Sequence, residues 1–309
     1  MTSGSRLRLW ADLALVLIAF IWGATFIIVK WALTDVSPTL FLAIRFTIAA
    51  VLLAVVFRGR WIPAPPLLVP TLKTGALLGG CLITGYILQT LGLEYTTASK
   101  AGFITGFYIP LVPFLLIFVS STNGAAWPKP VEAAGIMIAT VGVILMTLPE
   151  ERLNVSRGDL LILASTVAYA AQIILLARAG GKIPFESLSV IQIGAAALFA
   201  AIAFPFVDSP PRIAMTGPVV FAVLTSALFA TALAFGLQSW AQQHTTPTRA
   251  ALIFALEPLF AWLTAFLAAG EKLTQRACWG GLAILAGILL VELKPSIPGG
   301  HPLERAEEP

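Results

Sequence analysis

Apolar runs about as long as the hydrocarbon core of a bilayer is thick, roughly 20 residues in a helix, recur along the whole chain. Short clusters of charge, proline and glycine cut them apart. The cuts predict helices at 12–33, 38–57, 72–91, 98–119, 130–148, 159–178, 186–206, 217–239, 248–269 and 276–293. Such runs are too long for buried strands. The expected fold class is therefore an all-α polytopic membrane protein with ten transmembrane helices. Arg6 and Arg8 precede the first run as they would in a signal peptide. The run continues to about Leu33 without a small-residue cleavage site, so it reads as a retained helix.

A second pattern lies over the first. Thr96, Thr97, Lys100 and Ala101 match Thr245, Thr246, Arg249 and Ala250 at an offset of 149 residues. Pro113, Gly135 and Gly142 match Pro258, Gly280 and Gly287 at an offset of 145, so a four-residue slip separates the two sets. The chain divides into a segment 1–11, a first repeat 12–148, a linker 149–158, a second repeat 159–293 and a Pro-, Gly- and acid-rich tail 294–309 expected to be disordered. Five helices per repeat is an odd number, so the two repeats must enter the membrane in opposite senses. Inverted five-helix repeats of this kind place a substrate site near the midplane, between the halves. Eleven Lys and Arg fall on the side of the termini and seven on the other, which predicts that both termini are cytoplasmic.

Composition narrows the function. Of 309 residues, 58% are hydrophobic and 11% charged, with a mean hydropathy of +0.92. The 19 Lys and Arg are scattered singly, which argues against nucleic-acid binding. Cys81 and Cys278 lie in predicted spans and His244 and His301 lie far apart, so neither a disulfide framework nor a metal site is expected. No cofactor is implied. A GxxxxGK phosphate loop is absent, so transport would draw on a solute or ion gradient. A membrane enzyme would call for clustered interfacial Asp, His or Lys, which the short loops lack.

Candidate chemistry rests on polar residues inside the spans. A charge at mid-membrane costs about 2.5–3.5 kcal/mol even on insertion scales, which singles out Glu257. Three roles stay open for it: binding a substrate amine or cation, exchanging a proton, or bonding backbone groups at the Pro258 kink. Arg45 is expected either to grip a carboxylate or to bond helix-end carbonyls. Lys30 is either a substrate contact or a side chain reaching for the interface. Lys100 and Arg249 read as interface anchors. Ser165, Tyr169 and Gln172 share one helix face. Trp22, Tyr86, Gln89, Thr105, Tyr108, Gln238 and Gln242 supply further hydrogen-bonding groups and aromatic walls. Together they suit a zwitterionic or amphipathic small molecule better than an inorganic ion. Pro110, Pro113 and Pro258 bend their helices, as hinges or as static kinks. The glycine pairs Gly75 with Gly79, Gly102 with Gly106, Gly135 with Gly142 and Gly280 with Gly287 are expected to pack helices closely.

"WGATF" with Lys30, the Arg45–Phe46 pair, "YTTASKAGFITGFYIPLVP", and "TRAALIFALEPLFAWLTAFLAAGEKLT" followed by "GGLAILAGILLVE" resemble the EamA-type branch of the drug/metabolite transporter superfamily. The resemblance covers residues 12–293. It implies a cavity lined by helices 1–4 and 6–9, with helices 5 and 10 outside, in a bacterial cytoplasmic membrane. It also implies a secondary transporter, an exporter or exchanger of amino acids or related metabolites working by alternating access, with lipid as its surroundings. Proton coupling, a channel-like or scaffold alternative, transport direction and oligomeric state stay open. One departure is "SSTNGAAW", standing where the second half has "GEKL".

Overall fold

The computed structural model describes residues 3–120, 129–147, 155–208, 210–270 and 274–292. The expected disordered tail, most of the linker, and the "SSTNGAAW" and "GEKL" turns lie almost entirely outside these residues. The described residues are helical throughout, apart from turns and one isolated bridge between Val36 and Ile213. Ten apolar helical passes follow one another. Eight of them, Arg6–Ala32, Pro38–Val56, Pro65–Leu93, Ala98–Leu116, Arg157–Ala179, Phe185–Val207, Gly217–Ala241 and Pro247–Ala268, are long and apolar enough to cross a membrane. Pro130–Met146 and Gln275–Val291 are shorter.

Seven passes are single helices: α1 (Ser3–Ala32), α2 (Pro38–Val56), α3 (Pro65–Glu94), α6 (Pro130–Thr147), α7 (Arg157–Ala179), α8 (Phe185–Val207) and α13 (Gln275–Glu292). The other three, expected to be continuous, are broken. The fourth is α4 (Ala98–Thr105) followed by α5 (Tyr108–Ser120). The ninth is α11 (Pro247–Phe254) followed by α12 (Leu256–Ala269). The eighth runs α9 (Gly217–Thr225), a π-helical segment Ser226–Leu233, then α10 (Ala234–Ala241). Two boundaries also move. Helix α1 starts before residue 12. Helix α3 starts seven residues before the expected 72, because Pro65 and Pro66 sit in a first turn that has no use for their missing N–H groups.

The elements of the two halves follow one another in register. Helices α1 and α7 end at Ala32 and Ala179, 147 positions apart, and α2 and α8 begin at Pro38 and Phe185 with the same spacing. From α4 and α11 to the ends of α5 and α12, equivalent positions are 149 apart, as in Ser120 and Ala269. In α6 and α13 they are 145 apart, as in Thr147 and Glu292. Both offsets are therefore real, and the slip falls between Ser120 and Pro130 in the first half and between Ala269 and Gln275 in the second. One pairing changes. Pro258 is equivalent to Ile109, not to Pro113, so the prolines bend equivalent helices from positions that are not themselves equivalent.

Packing follows the pseudo-symmetry. Helix α3 lies on α7 and α8, α1 on α12 and α10, and α2 on α8. Helices α6 and α13 pack on each other at the periphery. Glycine makes that pair close: a Cβ on Gly142 would stand 2.6 Å from the Gly280 carbonyl oxygen, and one on Gly135 2.7 Å from that of Gly287.

Candidate functional site

Between the halves lies a partly open cavity of about 660 Å³, its open mouth included. Its walls come from α1, α2, α3, α4, α5, α7, α10 and α12, while α6 and α13 contribute none of the lining residues. Helix α8 supplies none either. Its polar residue Gln192 stands one layer back, accepting from Gln172 at 3.2 Å and donating to Ser239 at 3.0 Å.

The wall is built of repeat-equivalent pairs. Trp22 and Tyr169, Tyr86 and Phe235, Gln89 and Gln238, and Tyr108 and Glu257 occupy matching places in the two halves, the α3 and α10 pairs by continuing the 149-residue offset back from Thr97 and Thr246, and each of them lines the cavity. Aromatic contacts join the pairs: Trp22 meets Phe235 and Phe254 at 5.3 and 5.1 Å, and Tyr86 meets Tyr169 at 5.6 Å. Amide side chains are held in the wall. Gln89 donates to Thr105 Oγ1 at 2.9 Å and accepts from the Tyr169 hydroxyl at 3.0 Å. Gln238 donates to Gln172 Oε1 at 3.3 Å.

The charges break the symmetry. Arg45 and Glu257 are the charged residues among those lining the cavity, and each is nearly excluded from solvent, at 3% and 4% exposure. In the other half their places hold Gln192 and Tyr108. Arg45 Nε donates to Thr231 Oγ1 at 2.7 Å, and its Nη2 donates to the Ala230 carbonyl at 3.3 Å and to the Tyr86 hydroxyl at 3.4 Å. Its guanidinium also lies 4.7 Å from the centre of the Tyr86 ring. Every acceptor it meets among the described residues is neutral. Both anchors come from the π-helical segment, whose wider turns are often found at functional sites. The Ala230 carbonyl also receives Trp22 Nε1–H at 3.0 Å, and Thr231 donates to the Ser226 carbonyl five residues back at 2.9 Å.

Glu257 is placed by backbone. Helix α1 approaches α12 so closely that a Cβ on Gly23 would stand 2.7 Å from the Glu257 carbonyl oxygen. On the opposite side the Tyr108 hydroxyl lies 3.1 Å from Glu257 Oε2 and 3.2 Å from the Phe254 carbonyl oxygen.

Three expected site residues lie elsewhere, and each serves a backbone carbonyl. Lys30 caps the end of α3, donating to the Leu93 and Glu94 carbonyls at 2.6 and 3.0 Å. Ser165 donates to the Ile162 carbonyl at 2.6 Å. Gln242 donates to the Ile173 carbonyl at 3.1 Å. Conversely, Thr25, Phe26 and Val29 line the cavity but were not singled out. They follow Trp22 at i+3, i+4 and i+7, the spacing of one helix face, and that spacing is the signal that could have found them.

Inverted helical repeats of membrane-spanning length around a polar, aromatic cavity define a multi-pass membrane transporter by class. Residues 9–148 and 156–293 each match the EamA-like transporter family, and the chain belongs to that family. A relative from Archaeoglobus fulgidus, described as an uncharacterized transporter, is 33% identical over 288 residues, which span 93% of this chain and 87% of the relative. The uncharacterized transporter YoaV of Bacillus subtilis is 22% identical over 90% of this chain and 95% of its own. A solved structure titled "Crystal structure of protein" shares the fold, with a TM-score of 0.73, 18% identity, and coverage of 92% of this chain and 96% of that one.

Proposed function

We propose that this transporter moves zwitterionic small molecules, amino acids or close relatives, by alternating access between its two halves. One observation carries the proposal: a cation and a carboxyl group, Arg45 and Glu257, share one cavity, and Arg45 is bonded only to neutral acceptors. A substrate carboxylate can supply the negative charge and bidentate ion pair that those neutral acceptors cannot, while Glu257 receives the substrate ammonium. Thr105, Gln172 and the aromatic rings of Trp22, Tyr86 and Tyr169 complete a wall for a short apolar side chain. An inorganic ion would instead call for converging carboxylates or carbonyls.

Alternating access is supported by the matched helix breaks on either side of the cavity. In this proposal Pro110, Pro113 and Pro258 are the places where the broken passes flex. Both termini face the cytoplasm of the inner membrane.

Counterflow in proteoliposomes tests the proposal. Trans-side unlabelled amino acid should accelerate uptake of a labelled one, and Arg45→Ala and Glu257→Ala should each abolish the exchange while still inserting folded. Ohmic conductance would identify a channel instead, and exchange of inorganic ions alone would remove the zwitterion assignment.

A further inference from the structure

In an unbroken helix, the N–H of residue 258 would bond the Phe254 carbonyl, but Pro258 has no N–H to give. The Tyr108 hydroxyl reaches that oxygen instead, at 3.2 Å. The same hydroxyl lies 3.1 Å from Glu257 Oε2, yet it has one proton to donate. A protonated Glu257 resolves the shortage: its O–H donates to the Tyr108 oxygen, and Tyr108 donates to the Phe254 carbonyl. An ionised Glu257 has no proton to give and, as a charged acceptor, takes the Tyr108 hydrogen for itself. The carbonyl at the break then loses its partner.

We infer that a proton on Glu257 holds the break between α11 and α12 closed through Tyr108, and that releasing this proton to the cavity solvent loosens it. The matching break in the first half carries no such dependence. Gly106 and Ala255 end α4 and α11 with nearly the same backbone angles, φ −55°, ψ −15° and φ −58°, ψ −15°. The Gly106 carbonyl, four residues before Pro110, is bonded by the Ile109 N–H at 3.0 Å, with no titratable group involved. One break is therefore fixed by backbone and the other is switched by a proton.

The surroundings leave the switch to Glu257. Helix α12 packs on α1, α4, α11 and α13, and α1, α4 and α13 meet it through Gly23, Gly102 and Gly281. The titratable groups within electrostatic reach are Tyr108 of α5, Tyr169 of α7 and Tyr86 of α3, and the charged group facing Tyr86 and Tyr169 is Arg45 of α2. If the cavity binds zwitterions as proposed above, an arriving ammonium favours the carboxylate and so opens the break. That consequence rests on the transport proposal, whereas the switch itself does not.

Hydrogen exchange on the full-length protein in lipid nanodiscs tests the switch without any substrate. Peptides covering 250–262 are followed across roughly pH 5 to 9, where buried carboxyls titrate, after correction for intrinsic exchange chemistry. Loss of one hydrogen bond should speed exchange about five-fold at the alkaline end. Glu257→Gln supplies an amide N–H to Tyr108, and Pro258→Ala returns a backbone donor to Phe254, so both should exchange slowly at every pH. Tyr108→Phe should exchange fast at every pH. A wild-type segment with no pH step, or an unchanged step in Glu257→Gln or Pro258→Ala, overturns the inference. Failure of amino-acid counterflow alongside an intact pH step would instead remove only the substrate assignment.

Discussion

Lys100 Nζ lies 2.6 Å from Asp159 Oδ2, tying the start of α4 to the start of α7. The other half repeats the contact at the opposite end of the cavity, where Arg249 meets Asp12 at 2.7 Å and ties α11 to α1. Thr97 and Thr246 cap the two broken passes alike, each accepting from the backbone N–H of its basic neighbour at 3.2 Å. The residues read from sequence as interface anchors thus hold equivalent helices together at both ends. Lys100→Met strips a buried aspartate of its cation and should cost about 1.5–3 kcal/mol, with a similar loss for Arg249→Met. Thermal unfolding in detergent checks both. The double variant should sum to within about 0.5 kcal/mol if the two ends are independent, and a clear departure from that sum would mean that they are mechanically linked.

Arg45→Lys keeps the charge but loses the planar fork and the bond from Nε to Thr231. Apparent substrate affinity should fall about tenfold, the worth of one charge-assisted hydrogen bond. Thr231→Val leaves the guanidinium in place without its short anchor. It should raise KM with little change in kcat, because Thr231 positions Arg45 rather than meeting substrate. Concentration-dependent uptake in liposomes separates the two variants.

Gly23→Val would drive a side chain into the backbone of α12 at Glu257 and Ala261 and into the Phe260 Cβ. Overpacking of this kind costs about 1–3 kcal/mol, and here the displaced element carries the cavity carboxyl. Uptake should fall further than thermal stability does. Wild-type transport by Gly23→Val would show that the exact separation of α1 and α12 is unimportant.

Gly142→Leu tests the peripheral pair. The same overpacking cost, about 1–3 kcal/mol, should appear in unfolding. The α6–α13 contact lies away from the lining residues, so the folded fraction should bind substrate with unchanged affinity. Scintillation-proximity binding on monodisperse protein measures that fraction.

Hydropathy alone was enough for the ten passes, because burying a charge or an open backbone in hydrocarbon costs more than any local preference can offset. The duplication was legible for a related reason: equivalent capping, ion-pairing and close-packing positions need the same residue types twice, hence the Thr-Thr and basic residue at 149 and the glycines at 145. Single polar residues in apolar runs also stood out, and Arg45, Tyr108 and Glu257 became candidates that way. Which groups they bond was not legible, since Trp22 meets Ala230 and Arg45 meets Thr231 across 208 and 186 residues of chain. Only the tertiary structure decided that Lys30, Ser165 and Gln242 serve carbonyls while Thr25 and Val29 line the cavity, because helix rotation, not composition, sets which face looks inward. It also decided that Glu257 faces its own repeat equivalent, Tyr108. Residues on a pseudo-two-fold axis meet only when both halves are folded against each other.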